Sequence, residues 1–222
     1  MKPNLKKRLL VVVAHPDDEV LGCAGLLLDN YKNGGENFVL YLNNGFQRRE
    51  NFHVKRIENQ IVEVSKLLRF VPFVEEFNAS EFDIYPQRKF NDIVSKYVRT
   101  VKPTIVVTHI ANDLHLDHRI VNAAVMVACR FAKNSPVKTL LEMPVISSSE
   151  INPQFNFQPN LFVDVTNYIE IKKEAMEKYV DEVESMKELR GALGIEGWAI
   201  FYGMHINVKY AEAFKLVRGI LT

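Results

Sequence analysis

Short apolar runs alternate along the chain with stretches in which apolar side chains recur every three or four residues. Residues 9–14 form the first run, Leu-Leu-Val-Val-Val-Ala, which has no polar alternation and is therefore typical of a strand buried on both faces of a parallel sheet. Weaker runs predict further strands at residues 38–42, 71–74, 104–108 and 139–143, and an edge strand at 161–165.

Helical spacing fills the intervals between these runs. It predicts helices over residues 54–68, 90–101 and 120–128, and one long amphipathic helix over 168–189. Gly191, Gly194 and Gly197 predict an interruption, and a last helix is predicted over 210–217. This order predicts an α/β fold, a Rossmann-like three-layer domain whose mostly parallel sheet is flanked by helices. Residues 1–222 are expected to form a single domain, because no linker or repeat divides them.

The net charge and the cysteine spacing indicate which classes of partner and which cellular compartment to expect. The chain has 28 basic and 27 acidic residues, a net charge of +1, so we expect no nucleic-acid partner and no attraction to an anionic membrane. Cys23 and Cys129 lack a metal-ligand or redox spacing and are predicted to be small core residues. The run at residues 9–14 is too short for a signal sequence or a membrane span, which predicts a cytoplasmic location.

The first chemical cluster follows the first predicted strand. Residues 14–19, Ala-His-Pro-Asp-Asp-Glu, place an imidazole and three carboxylates at the carboxyl edge of the sheet, where ligands bind in open α/β folds. Carboxylates this close repel one another and resist desolvation, and neither Lys nor Arg lies near them in sequence. A bound cation would relieve the repulsion, so a metal site is favoured over a helix-capping polar loop.

The second cluster, Asp-Leu-His-Leu-Asp-His at residues 113–118, has the same strand-to-helix setting after the fourth predicted strand. If the first three strands wind outward and the fourth returns beside the first, the two loops meet at the topological switch point. Asp113 is interpreted as a loop residue. His53, His109 and His205 have no motif partner and are predicted to be structural or exposed, although His109 is close enough to line the site.

The residue types in the two clusters indicate the chemistry. Two histidines with carboxylates suit zinc, or iron in the same ligands, better than magnesium, which prefers oxygen ligands. Three protein ligands would leave one position for water, whose pKa the metal lowers while an adjacent carboxylate accepts the proton. The pattern therefore predicts hydrolysis of an amide or an ester.

The two motifs resemble those of the PIG-L/LmbE-like zinc-dependent N-deacetylases, a family that includes the GPI-anchor N-acetylglucosaminylphosphatidylinositol deacetylase and the mycothiol and bacillithiol deacetylases. Residues 14–19 carry the first signature intact, and residues 115–118 carry histidine-x-aspartate-histidine, with Leu116 where the family often has proline. Weaker similarity continues through residues 211–214. The resemblance implies a Zn²⁺-dependent hydrolase that removes the N-acetyl group from an N-acetylglucosamine-like sugar or glycoconjugate, and it is compatible with a homo-oligomer.

The resemblance also implies a role for each residue of the site. It implies three metal ligands, His15, Asp18 and His118, and a general base, Asp17.

The remaining roles concern the oxyanion and the substrate. His115 matches the residue that stabilises the oxyanion and protonates the leaving amine, with Asp117 holding its ring. A carboxylate in that place would help the imidazole to stay protonated. Gly45, after the second strand, and Arg56, at the start of the second helix, resemble substrate-side positions.

Three other functions remain open. A metal-dependent amidase could act on a non-sugar N-acyl compound with the same metal and water. A non-catalytic nucleotide-binding module could hold a structural metal, but the first turn lacks a glycine-rich fingerprint and a structural zinc normally has a fourth protein ligand. A serine hydrolase is the weakest alternative, because the chain lacks a glycine-x-serine-x-glycine elbow.

Overall fold

The computed structural model describes residues 7–45, 54–130, 135–154, 156–185 and 187–220, so that His53 lies outside the described residues. The strands are β1 (Arg8–Val13), β2 (Glu36–Asn43), β3 (Val71–Phe77), β4 (Ile105–His109), β5 (Thr139–Met143), β6 (Leu161–Asp164) and β7 (Ala211–Gly219). The helices are α1 (Asp18–Lys32), α2 (Val54–Leu68), α3 (Gln87–Val101), α4 (Leu116–Ala128), α5 (Ile169–Glu177), α6 (Val180–Ser185), α7 (Lys187–Arg190) and α8 (Ala192–Ile206), with a short 3₁₀ helix at Phe82–Ile84.

The strands form one seven-stranded sheet in the order β3-β2-β1-β4-β5-β7-β6. The first five are parallel, whereas β7 runs antiparallel to both β5 and β6. The mostly parallel sheet is therefore confirmed, as is the edge strand near residue 161. Since β4 lies beside β1 on the side away from β2, the loops that follow β1 and β4 meet at a topological switch point.

Alternate residues of β1 pack on opposite faces of the sheet. Leu9, Val11 and Val13 belong to a core covered by α1, α2, α5 and α8. The intervening residues of the strand pack in a second core under α3 and α4. Burial on both faces explains why the run at residues 9–14 has no polar position, and it confirms the three-layer fold. Cys23 and Cys129 are both buried, as predicted.

The C-terminal third corrects three predictions. Residues 168–189 do not form one long helix but the three short helices α5, α6 and α7. The helix breaks at residues 178–179, where the buried Tyr179 donates its hydroxyl to Glu19 in α1, a contact that local periodicity does not encode. Within the described residues, no helix combines the length and the apolar character needed to cross a bilayer.

The other two corrections concern α8 and β7. The predicted glycine interruption is present at Gly191, the N-cap residue between α7 and α8, but not at Gly194 and Gly197, which lie inside the fifteen-residue helix α8. Gly194 allows close packing, because a Cβ there would be 1.9 Å from the backbone oxygen of Leu189. The predicted helix over residues 210–217 is strand β7. Its Ala, Glu, Lys and Leu residues are good helix formers, but pairing with β5 and β6 outweighs that weak local preference.

A buried ion pair bonds the backbone groups at a kink in α1, the helix that begins at Asp18. Cys23 has non-helical dihedral angles, so the backbone groups around it need other hydrogen-bond partners. Lys172 of α5 donates through Nζ to the Leu21 carbonyl at 3.0 Å, and Glu212 of β7 accepts from the Gly25 N–H at 2.9 Å. The two side chains contact each other at 2.7 Å, so one ion pair ties α1 to α5 and β7.

Lys172→Met should lower the free energy of unfolding by about 3–5 kcal/mol, because it leaves Glu212 charged and buried without its cation. Urea denaturation followed by circular dichroism measures the change. Lys173→Met is the matched control: Lys173 bonds the surface residue Glu170, a pair worth about 0–1 kcal/mol. Equal losses in the two variants would show that the buried pair has no special role in stability.

Candidate active site

The loops after β1 and β4 bring His15, Asp18 and His118 together. One potential ligand atom from each lies within 4.8 Å of the others, and all three residues are at least 96 % buried. Their placement follows from the topology, because His15 and Asp18 begin the turn into α1 whereas His118 lies in the first turn of α4. The predicted convergence of residues a hundred positions apart is therefore present in the fold.

Asp18 lies at the centre of this group. Its Oδ2 accepts a hydrogen bond from the His15 backbone N–H at 2.8 Å, and its Oδ1 lies 3.4 Å from His118 Nε2. Burial alone would raise the pKa of Asp18, but the nearby imidazoles of His118 and His109 outweigh it and hold the pKa well below its usual range. An ionised carboxylate thus lies among imidazoles.

The donor set fits a divalent cation. His118 Nε2 is buried and has no hydrogen-bond partner among the described residues, an arrangement that is costly unless a ligand satisfies the nitrogen. Two imidazoles and one carboxylate suit zinc or a similar borderline metal, and three protein ligands leave one coordination position for water.

Asp113 supports His118 from the other side of its ring. Asp113 Oδ2 lies 3.3 Å from His118 Nδ1 and accepts from the Ser149 hydroxyl at 2.5 Å, while Oδ1 accepts from the His115 N–H. Burial would raise the pKa of Asp113, but its bond with His118 outweighs it and lowers the pKa to about 2. A carboxylate that fixes a metal-binding histidine is common in metalloproteins, so Asp113 is more than the loop residue predicted from the sequence.

Asp117 supports His15 in the same way. Its Oδ2 lies 3.0 Å from His15 Nε2 and accepts from the Ser80 N–H at 2.7 Å. The expectation was that Asp117 would hold the His115 ring. Its contact with His115 is instead made by the backbone, because the Asp117 N–H donates to His115 Nδ1 at 3.2 Å.

The protonation of His115 also differs from the expectation. Burial, together with the charges of His15 and His118, lowers the pKa of His115 to about 4, so the imidazole is neutral at neutral pH. Since Nδ1 accepts a hydrogen bond, the ring proton resides on Nε2. His115 can therefore donate a hydrogen bond as a neutral imidazole.

Asp17 lies at the N-cap of α1, directly before the candidate metal ligand Asp18. Its φ of 110° is rare for an L residue and costs on the order of 1–3 kcal/mol, a strain that is often found at functional sites. Asp17 is 3 % exposed, and its carboxylate forms an ion pair with Arg190 of α7, Oδ2 to Nη1, at 2.8 Å. Burial raises the pKa of Asp17 well above its usual value, although Arg190 opposes the shift.

His109 contributes a supporting ring. It is fully buried and stacks on His118 with the ring centroids 3.8 Å apart and the planes inclined by 7°. Its Nε2 accepts the Ala14 N–H at 3.0 Å, and burial lowers its pKa to about 3. The sequence placed His109 near the second loop but gave no sign of this stacking.

The two predicted substrate residues lie in different settings. Gly45 follows β2 with a φ of 113°, which suits glycine, and its N–H donates to Asn43 at 2.6 Å. Arg56, in the first turns of α2, forms a half-exposed ion pair with Asp181 of α6 at 3.2 Å. Their contact with substrate stays a prediction.

Comparison with known proteins adds independent information. A family model described as PIG-L, GlcNAc-PI de-N-acetylase, matches residues 10–129. Diacetylchitobiose deacetylase of Thermococcus kodakarensis is 24% identical over 229 residues, covering 98% of this chain and 85% of that protein.

Two solved structures share the fold. An N,N'-diacetylchitobiose deacetylase from Pyrococcus horikoshii matches with a TM-score of 0.78 at 20% identity, over 96% of this chain and 84% of that one. GalB, the 4-carboxy-2-hydroxymuconate hydratase from Pseudomonas putida KT2440, matches with a TM-score of 0.72 at 17% identity, over 97% and 98%. Because a hydratase and a deacetylase share it, the fold alone does not select the reaction.

Proposed function

This chain belongs to the PIG-L family, the GlcNAc-PI de-N-acetylases, and from that premise we propose that it is a zinc-dependent hydrolase of small N-acetylated sugars. The reaction replaces the amide C–N bond of an N-acetylglucosamine-like group by a C–O bond to water, releasing acetate and a free amine. The similarity to diacetylchitobiose deacetylase supports a sugar as the substrate.

The observation that carries the proposal is the buried group of His15, Asp18 and His118 with Asp17 beside it. When bound there, zinc would lower the pKa of water and polarise the substrate carbonyl. The number of donors argues against a purely structural metal, because three protein ligands leave a coordination position that a closed structural site would fill.

The proposed roles of the other side chains follow from their contacts. Asp17 accepts the proton of the attacking water, and its burial favours that transfer, because burial raises the pKa of its carboxyl. His115 donates its Nε2 proton in a hydrogen bond to the developing oxyanion. A donor that is already oriented loses little free energy on reorganising during the reaction. His15 and His118 are held in place by Asp117 and Asp113.

Acetate release tests the proposal. The purified protein, loaded with zinc and in parallel stripped by a chelator, is incubated with N-acetylglucosamine, diacetylchitobiose, N-acetylated amino acids and N-acetylated amines. Zinc-dependent acetate release from the sugars is expected. Release only from the amino acids or amines would favour the non-sugar amidase, and tight zinc binding without any release would favour a structural metal.

Location and assembly complete the proposal. Two buried free thiols are compatible with a reducing compartment, so we place the enzyme in the cytoplasm. A homo-oligomer stays a prediction.

Asp113→Ala should weaken zinc binding by about 10–100-fold, because His118 loses the carboxylate that fixes its ring. Competition with a chromophoric chelator measures the affinity. Asp92→Ala, which removes an exposed carboxylate of α3, serves as the control and should bind zinc as the wild type does. An unchanged affinity in Asp113→Ala would show that His118 needs no such support.

A further inference from the structure

We propose that Arg190 is a positioning residue for the general base, and that it holds one carboxylate oxygen of Asp17 so that the other can accept the proton of water. The inference rests on the proposed function. It concerns a residue outside both sequence motifs, 173 positions from the carboxylate that it contacts.

The Arg190 guanidinium is held on two edges. Nη1 donates to Asp17 Oδ2 at 2.8 Å and to Glu182 Oε2 at 2.7 Å, while Nε donates to the Ser147 hydroxyl at 2.7 Å. The Arg190 side chain is 17 % exposed, and both carboxylates are almost fully buried. The partners on α6 and on the loop after β5 thus fix the plane of the guanidinium that contacts Asp17.

Asp17 needs this external support. An aspartate at an N-cap normally bonds a backbone N–H of its own helix, but within the described residues the Asp17 side chain makes no such cap to α1. Arg190 bonds Oδ2, and no bond to Oδ1 is present within the described parts of the chain, so Oδ1 is the oxygen that we assign to the water. The strained backbone at Asp17 and the bond from Arg190 together place the carboxylate beside Asp18.

The position of α7 is itself anchored. Tyr179, just before α6, donates to Glu19 at 2.9 Å, and Asp181 pairs with Arg56 of α2. These contacts join α6 to α1 and α2, so that Arg190 reaches Asp17 from a supported segment. A lysine would keep the charge but has neither the planar fork nor the Nε donor that bonds Ser147. The proposal therefore predicts that charge alone is insufficient.

The test compares zinc-loaded wild type, Arg190→Lys and Arg190→Ala, with Arg88→Ala as the matched control on the exposed face of α3. Acetate release from the best sugar of the panel gives kcat and KM, and mass spectrometry gives the zinc content. Both Arg190 variants should lose about 100-fold in kcat, because a small misplacement of a reacting group costs that much. KM and zinc content should stay near those of the wild type.

Chemical rescue separates orientation from general stability. Guanidinium chloride, added well below denaturing concentrations, should restore part of the kcat of Arg190→Ala and leave the control variant unchanged. A wild-type kcat in Arg190→Lys would overturn the proposal, and so would a loss in Arg190→Ala that guanidinium does not restore. If Arg190→Ala does not fold, Arg190→Lys carries the test, and a wild-type kcat in that variant overturns the proposal.

The failure of the proposed function has a different signature. In that case the wild type itself releases no acetate from any sugar. A failure of the inference leaves an active wild type, together with either a wild-type kcat in Arg190→Lys or a loss in Arg190→Ala that guanidinium does not restore.

Discussion

Asp17→Asn should abolish most of the turnover while zinc remains bound. The amide has nearly the shape of the carboxylate and tolerates the same positive φ, so the turn that carries His15 and Asp18 should keep its geometry. The amide cannot accept a proton as the carboxylate does. Loss of general-base catalysis predicts a fall in kcat of about 10²–10⁴-fold. Acetate release measures kcat, and mass spectrometry of the desalted protein measures bound zinc.

The control for this variant is Asp92→Asn, a change of the same chemistry on an exposed helix face, which should leave both quantities unchanged. Full turnover in Asp17→Asn would exclude Asp17 as the base. Loss of zinc together with activity would instead make Asp17 a ligand or a support of the ligand loop.

The parts of the site that follow from the sequence are those encoded by local order. Leu9 to Ala14 predict a strand buried on both faces, and the motif directly after it must lie at the carboxyl edge of the sheet. The same argument holds for the motif after β4. Once β4 lies beside β1, His15 and His118 meet without further information.

The supporting contacts could not be predicted, because they depend on side-chain geometry across the fold. Asp113 has a neighbouring histidine at 115, but its ring contact is with His118. Asp117 was expected to hold His115 and bonds His15 instead. Arg190 gives no local signal at all, since the chain must fold back from α7 before the guanidinium reaches the first motif.

The C-terminal third shows why helix-like composition misleads there. Residues 210–217 contain strong helix formers, yet Glu212 is buried in β7 because Lys172 and two N–H groups of α1 satisfy its carboxylate. The partners that stabilise the buried carboxylate lie 40 and about 187 positions away in the sequence. A short window of sequence contains neither partner. A prediction from such a window rests on intrinsic helix propensity, which the tertiary contacts outweigh here.

His118→Ala should remove both zinc and activity, in contrast to Asp17→Asn. The variant keeps Asp18 and His15 but loses an imidazole nitrogen whose neighbour in the candidate site is the Asp18 carboxylate at 3.4 Å. Losing a ligand should weaken zinc binding by more than the factor of about 10–100 expected for losing the supporting Asp113. The zinc affinity should therefore be highest in the wild type, lower in Asp113→Ala and lowest in His118→Ala.

Three measurements separate this interpretation from a loss of folding. Circular dichroism should show the wild-type secondary structure, because His118 contributes one buried ring that stacks on His109 rather than a large part of the core. His205→Ala, a change to an exposed histidine in α8, should retain zinc and activity.

Excess zinc should restore part of the activity of Asp113→Ala, which keeps all three proposed ligands. It should restore much less of the activity of His118→Ala. Wild-type zinc affinity in a folded His118→Ala protein would remove His118 from the ligand set, and with it the reason for placing the hydrolytic water beside Asp17.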